Sequence, residues 1–143
     1  MSEEEVKVIA RGLCQVLAYM HARGIPHRDI KPSNIMLDDN GMPILIDFGH
    51  AQSYDIKAGT ESYYAPEQVV YKSLHKNLDV KKFDVWSLGQ VIFECLDSSK
   101  SSVFKDEKTK CKMFYDRGHD IEVSTGTLSA ANFVGRLLNP NNN

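Results

Sequence analysis

The sequence lacks the residues that define small disulfide-rich proteins and membrane proteins. Its three cysteines, Cys14, Cys95 and Cys111, are far apart and form no C-x-x-C pair. An odd number of cysteines at such spacing disfavours a zinc site or a disulfide framework and predicts a reduced compartment. The apolar stretches are also too short to span a bilayer, so we expect no membrane partner.

Strong charge of either sign is missing as well. The formal net charge of the 143 residues is −2 at pH 7, so we expect neither a nucleic-acid partner nor a polybasic membrane patch. The acidic first five residues are unlike a signal or transit peptide and predict a cytoplasmic or nuclear location. With 42% hydrophobic and 25% charged residues, the chain has the composition of one globular domain with its own core.

Two long helices are predicted from the hydrophobic pattern. In residues 2–23, apolar side chains recur at helical spacing on one face, and Ser2 with Glu5 forms a capping-box pattern. Gly24 follows as a helix-stop signal. Residues 82–96 are apolar nearly all round, which is typical of a helix buried at the centre of a domain.

A small hairpin is predicted between these helices. Pro26 and Pro32 disfavour a regular helix in this part of the chain. Short apolar runs at residues 35–37 and 44–46 flank the sequence D-D-N-G at 38–41, which is a strong turn signal. The pattern therefore favours two short antiparallel strands flanked by loops.

The other segments give weaker signals. Residues 50–64 have no sustained period and predict a long loop, whereas residues 65–72 predict a short helix and residues 128–138 a last helix. Residues 97–127 are polar, and their run of lysines is most simply a solvated surface. The expected fold class is therefore mainly α (α+β), with helices around a buried central helix and one small β-hairpin.

The residues that carry chemistry lie around the hairpin. The sequence H-R-D-I-K-P-S-N occupies residues 27–34, D-F-G follows at 47–49, and G-T-E-S-Y-Y-A-P-E follows at 59–67. Phosphoryl transfer needs a carboxylate near the attacking hydroxyl, oxygen ligands for magnesium, and a cation that offsets charge on the phosphoryl group. Residues of these types at the two ends of the hairpin are Asp29, Lys31, Asn34 and Asp47.

In order and spacing, these motifs resemble those of the eukaryotic-type serine/threonine protein kinase family. H-R-D with K-x-x-N, D-F-G, G-T-x-x-Y-x-A-P-E and D-V-W-S-x-G all occur in one sequence. A single D-F-G arises easily by chance, but four motifs in register argue against an unrelated helical domain. The resemblance implies a partial kinase domain over residues 1–143, the C-terminal lobe without an N-terminal lobe, with a helix at 2–23, the catalytic loop at 25–34, the activation segment at 47–67 and the buried helix at 82–96.

The resemblance also implies roles for individual residues. Asp29 would accept the proton of the substrate hydroxyl, and Lys31 would contact the γ-phosphate of ATP. Asn34 and Asp47 would bind Mg²⁺. Met36 would lie beneath the adenine ring, and it would also be explained simply as hairpin core, since both can hold together.

Supporting roles follow from the same resemblance. Asp84, in D-V-W-S-x-G, would anchor the backbone of the catalytic loop, although an isolated acidic residue there would ordinarily be a helix N-cap. His27 and Phe48 would stack in the hydrophobic spine of the family. Thr60 would hydrogen-bond the catalytic aspartate and lysine, as in kinases that act on serine and threonine.

The activation segment departs from the family pattern. Arg28 would usually bind a phosphate on this segment, but Ile56 stands at the usual site and cannot be phosphorylated. Asp55 would supply a fixed negative charge to Arg28, or is simply a solvated loop carboxylate. We expect ordering of this loop without phosphorylation, with Ser53 and Tyr54 as alternative sites.

Glu67 is expected to lack its usual partner. The family pairs this glutamate with an arginine in D-P-x-x-R, but residues 139–143 read N-P-N-N-N. Arg136 is an alternative partner, although the spacing does not require it. Removing one member of a buried ion pair typically costs ~3–5 kcal/mol.

Three functions remain open at this stage. The glycine-rich phosphate loop and the V-A-I-K lysine of the family are not found in the sequence, so a truncated or weakly active kinase is the first. The second is a catalytically inactive binding module that pairs with a partner or with an N-lobe in trans. A small-molecule phosphotransferase is disfavoured because residues 59–67 resemble a peptide-docking segment. The expected partners are a protein substrate with serine or threonine, and a protein that covers the apolar face around Met36 and Phe48.

Overall fold

A computed structural model describes residues 1–70, 78–97 and 128–138. The lysine run within residues 105–112, Cys111 and the asparagine-rich residues 139–143 lie outside the described part of the chain. The two described cysteines, Cys14 and Cys95, are free thiols, as expected. None of the described helices is long and apolar enough to cross a membrane.

Helix α1 (Glu3–Ala22) begins with the predicted capping box. The Glu5 N–H donates to the Ser2 hydroxyl oxygen at 3.3 Å, and the Ser2 N–H donates to a carboxylate oxygen of Glu5 at 2.7 Å. Gly24 has a φ of +77°, which permits the chain to leave the helix at its end. One face of the helix lies in the core, and its buried side chains are Val6, Ile9, Ala10, Leu13, Leu17 and Met20.

Helix α3 (Val80–Leu96) is the central buried helix. It begins two residues before the predicted start, because Asp79 caps it by accepting a hydrogen bond from the Lys81 N–H at 3.1 Å. It packs against both α1 and α4 (Leu128–Leu137). A Cβ at Gly89 would lie 2.9 Å from the side chains of α4, so glycine allows the two helices to approach closely.

The hairpin consists of β1 (Ile35–Leu37) and β2 (Pro43–Leu45), which pair antiparallel with Met36 opposite Ile44. In the turn, the Asp38 carboxylate accepts hydrogen bonds from the Asn40 and Met42 N–H groups, each at 2.8 Å. The second strand is shifted by one residue from the predicted 44–46. Pro43 rests on α1 at Gly12, where a Cβ would lie only 2.5 Å from the proline ring.

The remaining described elements are short. Helix α2 (Pro66–Val69) lies within the predicted 65–72, of which residues 71 and 72 are outside the described part. Short 3₁₀ turns occur at Pro32–Asn34 and at Glu61–Tyr63, the latter inside the segment predicted entirely as loop. Within the described residues the fold is helix-rich with one two-stranded antiparallel sheet, which confirms that part of the predicted fold class.

Candidate active site

The carboxylate of Asp29 is the centre of a compact polar cluster. One oxygen, Oδ1, accepts a hydrogen bond from the Thr60 hydroxyl at 2.6 Å. The other, Oδ2, lies 2.8 Å from the Lys31 ammonium and 3.0 Å from the Asn34 amide nitrogen. The structure therefore brings four of the predicted residues into direct contact, although Thr60 is far from the others in sequence.

The protonation of Asp29 follows from this environment. Burial is the largest single influence on its pKa and acts to raise it, because the residue is only 5% exposed. Hydrogen bonds from Lys31 and Thr60, together with the attraction of the Lys31 charge, lower it and outweigh burial. The pKa of Asp29 therefore lies below its ordinary value, and the group is an ionised acceptor at neutral pH.

Lys31 links the two halves of the cluster. Its ammonium group donates to the Thr60 hydroxyl oxygen at 2.8 Å and also pairs with Asp29. An ammonium has three N–H donors, so these two contacts leave one donor for a ligand. The side chain is partly exposed, which places that donor within reach of solvent.

Asn34 and Asp47 lie at neighbouring ends of the hairpin. The Asn34 amide nitrogen donates both to the Asp29 carbonyl at 2.8 Å and to its carboxylate, which leaves the amide oxygen for another ligand. The Asn34 carbonyl accepts from the Ile46 N–H at 2.9 Å, which places Asp47 next to this loop. Asp47 is exposed, and its Oδ1 accepts from the Gly49 N–H at 3.2 Å.

These oxygens are chemically suited to magnesium. Mg²⁺ prefers hard oxygen ligands and commonly takes only one or two protein carboxylates, with water and phosphate completing its shell. The described residues contain no group of three or more histidines, cysteines, aspartates and glutamates that could hold a metal alone. An amide oxygen with one carboxylate therefore fits a metal that arrives with a phosphate ligand.

Asp84 binds the main chain of the catalytic loop. It is fully buried on α3, and its carboxylate accepts hydrogen bonds from the His27 N–H at 2.8 Å and the Arg28 N–H at 2.7 Å. The same carboxylate lies 2.7 Å from a ring nitrogen of His21, at the end of α1. The predicted anchoring role is confirmed, and the N-cap alternative is wrong because Asp79 caps the helix.

His27 and Phe48 meet as the resemblance implied. Their ring centroids are 5.1 Å apart with an edge-to-face angle of 63°. The His27 Nδ1 accepts from the Asp29 N–H at 3.2 Å, so Nε2 carries the hydrogen and donates to the Ile46 carbonyl at 3.0 Å. This histidine therefore joins the catalytic loop to the end of the hairpin.

An exposed apolar face borders the polar cluster. Met36 is 55% exposed, Ile44 opposite it is 49% exposed, and Phe48 is 50% exposed. Met36 is therefore not in the core of the described residues, so that alternative for its role is wrong. The expected apolar face around Met36 and Phe48 is present.

Arg28 binds the main chain of the activation segment, and the charge of Asp55 acts on it without a side-chain hydrogen bond between the two. Its guanidinium donates to the main-chain carbonyls of Ser53 and Asp55 rather than to the Asp55 carboxylate. That carboxylate instead accepts from the Lys57 N–H at 2.9 Å. Burial lowers the pKa of Arg28, and the nearby charges of Asp55 and Asp84 partly oppose this effect.

Glu67 has a buried carboxylate oxygen, Oε2, with no hydrogen-bond partner in the described part of the chain. Burial raises its pKa above the ordinary value, and a hydrogen bond from its own main-chain N–H and the positive charge of Lys82 only partly oppose this shift. Whether Glu67 lacks the partner of the family pattern stays a prediction, because residues 139–143 lie outside the described part of the chain.

Several contacts were missed by sequence reasoning. The Tyr63 hydroxyl donates to a Glu94 carboxylate oxygen at 2.8 Å, and burial with this contact raises the pKa of Tyr63. His21 faces Asp84, and Tyr64 and Gln68 contact the main chain of the activation segment. For Tyr63 and Tyr64, their position within the G-T-x-x-Y-x-A-P-E motif could have indicated a contact. His21 and Gln68 gave no such signal, because a single histidine or glutamine predicts no partner.

A cavity elsewhere in the described residues is not part of this cluster. It has a volume of about 430 Å³ and lies between α1, α3 and α4, with Val6, Cys14 and Phe133 among its lining residues. None of the predicted site residues lines it. We therefore assign the candidate active site from the polar cluster and not from cavity size.

Comparisons with known proteins agree with the motifs. The family model described as "Protein kinase domain" matches residues 1–141. The dual specificity protein kinase zak2 of Dictyostelium discoideum is 38% identical over 116 residues, covering 71% of this chain and 18% of that protein. The ovarian-specific serine/threonine-protein kinase Lok of Drosophila melanogaster is 36% identical over 116 residues, covering 75% of this chain and 24% of that protein.

A human relative gives a similar result. Serine/threonine-protein kinase 16 of Homo sapiens is 35% identical over 109 residues, covering 65% of this chain and 35% of that protein. The chain therefore spans about a fifth to a third of the length of these relatives.

Proposed function

The chain belongs to the protein kinase family, and from this premise we propose that it carries the catalytic residues for transfer of the γ-phosphate of ATP to a serine or threonine hydroxyl of a protein. The observation that carries the proposal is the contact of Asp29 with Lys31, Asn34 and Thr60. A buried carboxylate held by a cation, an amide and a hydroxyl is suited to receive and orient one further hydroxyl group.

Asp29 is the proposed proton acceptor. Its lowered pKa keeps it ionised at neutral pH, so it can accept a hydrogen bond from the substrate hydroxyl and align the oxygen for attack. As the bond from this oxygen to phosphorus forms and the bond to the leaving oxygen breaks, the hydroxyl proton passes to Asp29. Asn34 and Thr60 hold the carboxylate in one orientation throughout.

Protein kinases in general use ATP and Mg²⁺, and the described residues fit both. The Asn34 amide oxygen and the Asp47 carboxylate would hold the metal, and the free donor of Lys31 would contact the γ-phosphate. Met36 would contact the adenine ring from its exposed position on β1. When bound, MgATP supplies the phosphoryl group and a metal charge that offsets the charge of its phosphates.

The proposed substrate is a protein with serine or threonine. Two of the relatives are named serine/threonine-protein kinases and one is named a dual specificity protein kinase. The Lys31–Thr60 contact supports the serine and threonine class. The activation segment, against which the substrate docks, would be ordered by Arg28, Thr60 and Glu67. The proposed location of the protein is the cytoplasm or nucleus, and we propose no nucleic-acid or membrane partner.

Residues 1–143 are proposed to form the C-terminal lobe of a kinase domain. The exposed Met36, Ile44 and Phe48 support this assignment, because an apolar face beside a catalytic cluster is suited to a second lobe and a nucleotide. The same exposed face supports one alternative function. In it, the chain is an inactive binding module that uses this face to hold a partner or an N-lobe in trans.

A phosphorylation assay separates the two functions. MgATP-dependent phosphorylation of a protein substrate with both serine and threonine is measured for two proteins. One is the chain of residues 1–143, and the other is the longest naturally expressed protein that contains it. We expect weak labelling by the first, stronger labelling by the second, and a loss of at least about 100-fold with Asp29→Asn. Full activity of this variant would contradict the assignment of Asp29, and labelling by neither protein would favour the binding module.

A further inference from the structure

The activation segment is attached to the rest of the domain through its own main chain. Four carbonyl groups between residues 53 and 57 accept hydrogen bonds from side chains outside that stretch. Arg28 donates to the Ser53 and Asp55 carbonyls, and the Gln68 amide donates to the Ile56 carbonyl at 3.0 Å. The Tyr64 hydroxyl contacts the Lys57 carbonyl and lies 3.4 Å from the Gly59 carbonyl.

The donors of these bonds are themselves fixed. Gln68 is only 2% exposed, and its amide oxygen accepts from the Ala65 N–H at 3.0 Å, so both ends of the amide are held. Tyr64 is buried, and burial raises the pKa of its hydroxyl, which therefore remains a donor at neutral pH. We refer to Arg28, Tyr64 and Gln68 as the carbonyl clamp.

The carbonyl clamp ends next to the catalytic cluster. Gly59 has a φ of +107°, and a Cβ at this position would lie 2.2 Å from the Arg28 carbonyl oxygen. The segment therefore passes directly against the catalytic loop, and the next residue, Thr60, reaches Asp29 and Lys31. A shift of the main chain at residues 56–59 would move the Thr60 hydroxyl away from the carboxylate.

Resting on the proposed function, we propose that Tyr64 and Gln68 are positioning residues that set Thr60 against Asp29 by binding the main-chain carbonyls of residues 56–59. A main-chain carbonyl is present whatever side chain the residue carries. Order of the segment therefore does not require a phosphate on Ser53 or Tyr54. In the described part of the chain, the hydrogen bonds that the Ser53 and Asp55 side chains accept come from N–H groups within the segment.

Two variants each remove the donor group of one clamp residue. Tyr64→Phe deletes only the hydroxyl. Gln68→Glu keeps an acceptor for the Ala65 N–H and loses the amide donor to the Ile56 carbonyl. The matched control is Tyr54→Phe, the same substitution in the same segment at a fully exposed tyrosine.

Hydrogen–deuterium exchange tests the inference without catalysis. We expect the amides of residues 55–60 to exchange about fivefold faster in Tyr64→Phe, the ratio for one hydrogen bond of about 1 kcal/mol, and faster in Gln68→Glu. The amides of α3 should be unchanged in both variants, and Tyr54→Phe should match the wild type throughout. Unchanged exchange at residues 55–60 in both variants, or an equal increase in α3, would overturn the inference.

The second measurement is the steady-state kinetics of the longest naturally expressed protein that contains this chain and is active. We expect both variants to lower kcat about fivefold with little change in KM for the protein substrate, because Thr60 orients Asp29 and does not determine how tightly the substrate binds. A change confined to KM would overturn the positioning role. If the variants exchange faster but no form of the protein shows kinase activity, the role of the carbonyl clamp in ordering the segment stands and the proposed function is contradicted.

Discussion

The catalytic loop and the outer face of the hairpin are neighbours in the fold, but they are stabilised in opposite ways. In the loop, buried polar groups are paired with distant parts of the chain: the Asp29 carboxylate accepts from Thr60, and the His27 N–H donates to Asp84 of α3. On the hairpin face, Met36 and Ile44 are about half exposed. Polar groups can be buried only when they are paired, whereas apolar groups need only to be covered. The described residues therefore complete the catalytic loop and leave the hairpin face for another surface.

The largest effect is expected where the loop is anchored. Asp84→Ala leaves the buried N–H groups of His27 and Arg28 without an acceptor and should lower the free energy of unfolding by about 3–5 kcal/mol. The measurement is chemical denaturation. Asp79→Ala is the matched control on the same helix, and loss of this exposed N-cap should cost only about 1 kcal/mol. An equal loss of unfolding free energy in the two variants would contradict the view that paired buried polar groups stabilise the catalytic loop.

The second prediction concerns two adjacent residues on opposite faces of β2. Leu45 is 7% exposed, and Leu45→Ala should lower the free energy of unfolding by about 2–4 kcal/mol because it leaves a cavity in the core. Ile44→Ala should cost less than about 1 kcal/mol, because its side chain is already half in water. Denaturation of both variants in the same protein measures the difference. A large cost at Ile44 would mean that this face is already covered.

The third and smallest prediction concerns Glu67, a polar group that departs from the pattern of the loop. Its pKa is raised by burial, so the protonated form stabilises the fold below the unfolded pKa of about 4.5. That contribution is lost as the pH rises through the folded pKa. Glu67→Gln should therefore increase the free energy of unfolding by about 1 kcal/mol at pH 7, and this gain should disappear below about pH 4.5.

Denaturation of the Glu67→Gln variant at several pH values checks this sign. The control is Glu61→Gln, at an exposed glutamate in the same segment, for which we expect no comparable gain. A loss of stability at pH 7 in Glu67→Gln would show that Glu67 has a charged partner. The contrast between paired and unpaired buried groups would then not apply to this residue.

Local elements were predictable from the sequence because their free energies depend on neighbouring residues. The capping box of Ser2 and Glu5, the turn at Asp38 and the exit at Gly24 each involve residues only a few positions apart. The start of α3 was predicted two residues late because its cap, Asp79, precedes the apolar pattern. The strand β2 begins one residue earlier than predicted because Pro43 pairs with Leu37, a register that the apolar pattern at 44–46 does not contain.

The candidate site was predicted as a set of chemical groups but not as a set of contacts. Asp29, Lys31, Asn34 and Asp47 were selected because phosphoryl transfer requires their functional groups. For Arg28, one of the two alternatives predicted the Asp55 carboxylate as its partner, but the hydrogen bonds of its guanidinium go to main-chain carbonyls. Gln68 was not selected, because a glutamine next to a motif has no signature of its own.

The sequence by itself determined roughly where the main helices and the hairpin lie, and which functional groups the chain offers for chemistry. Only the tertiary structure decided how those groups pair, as when Asp84 accepts from His27 57 residues away. It also decided that Arg28, at a φ of +72°, turns towards the activation segment. The physical reason is that secondary structure follows from interactions within a few residues. The orientation of a buried polar group depends instead on how separate helices and loops pack around it.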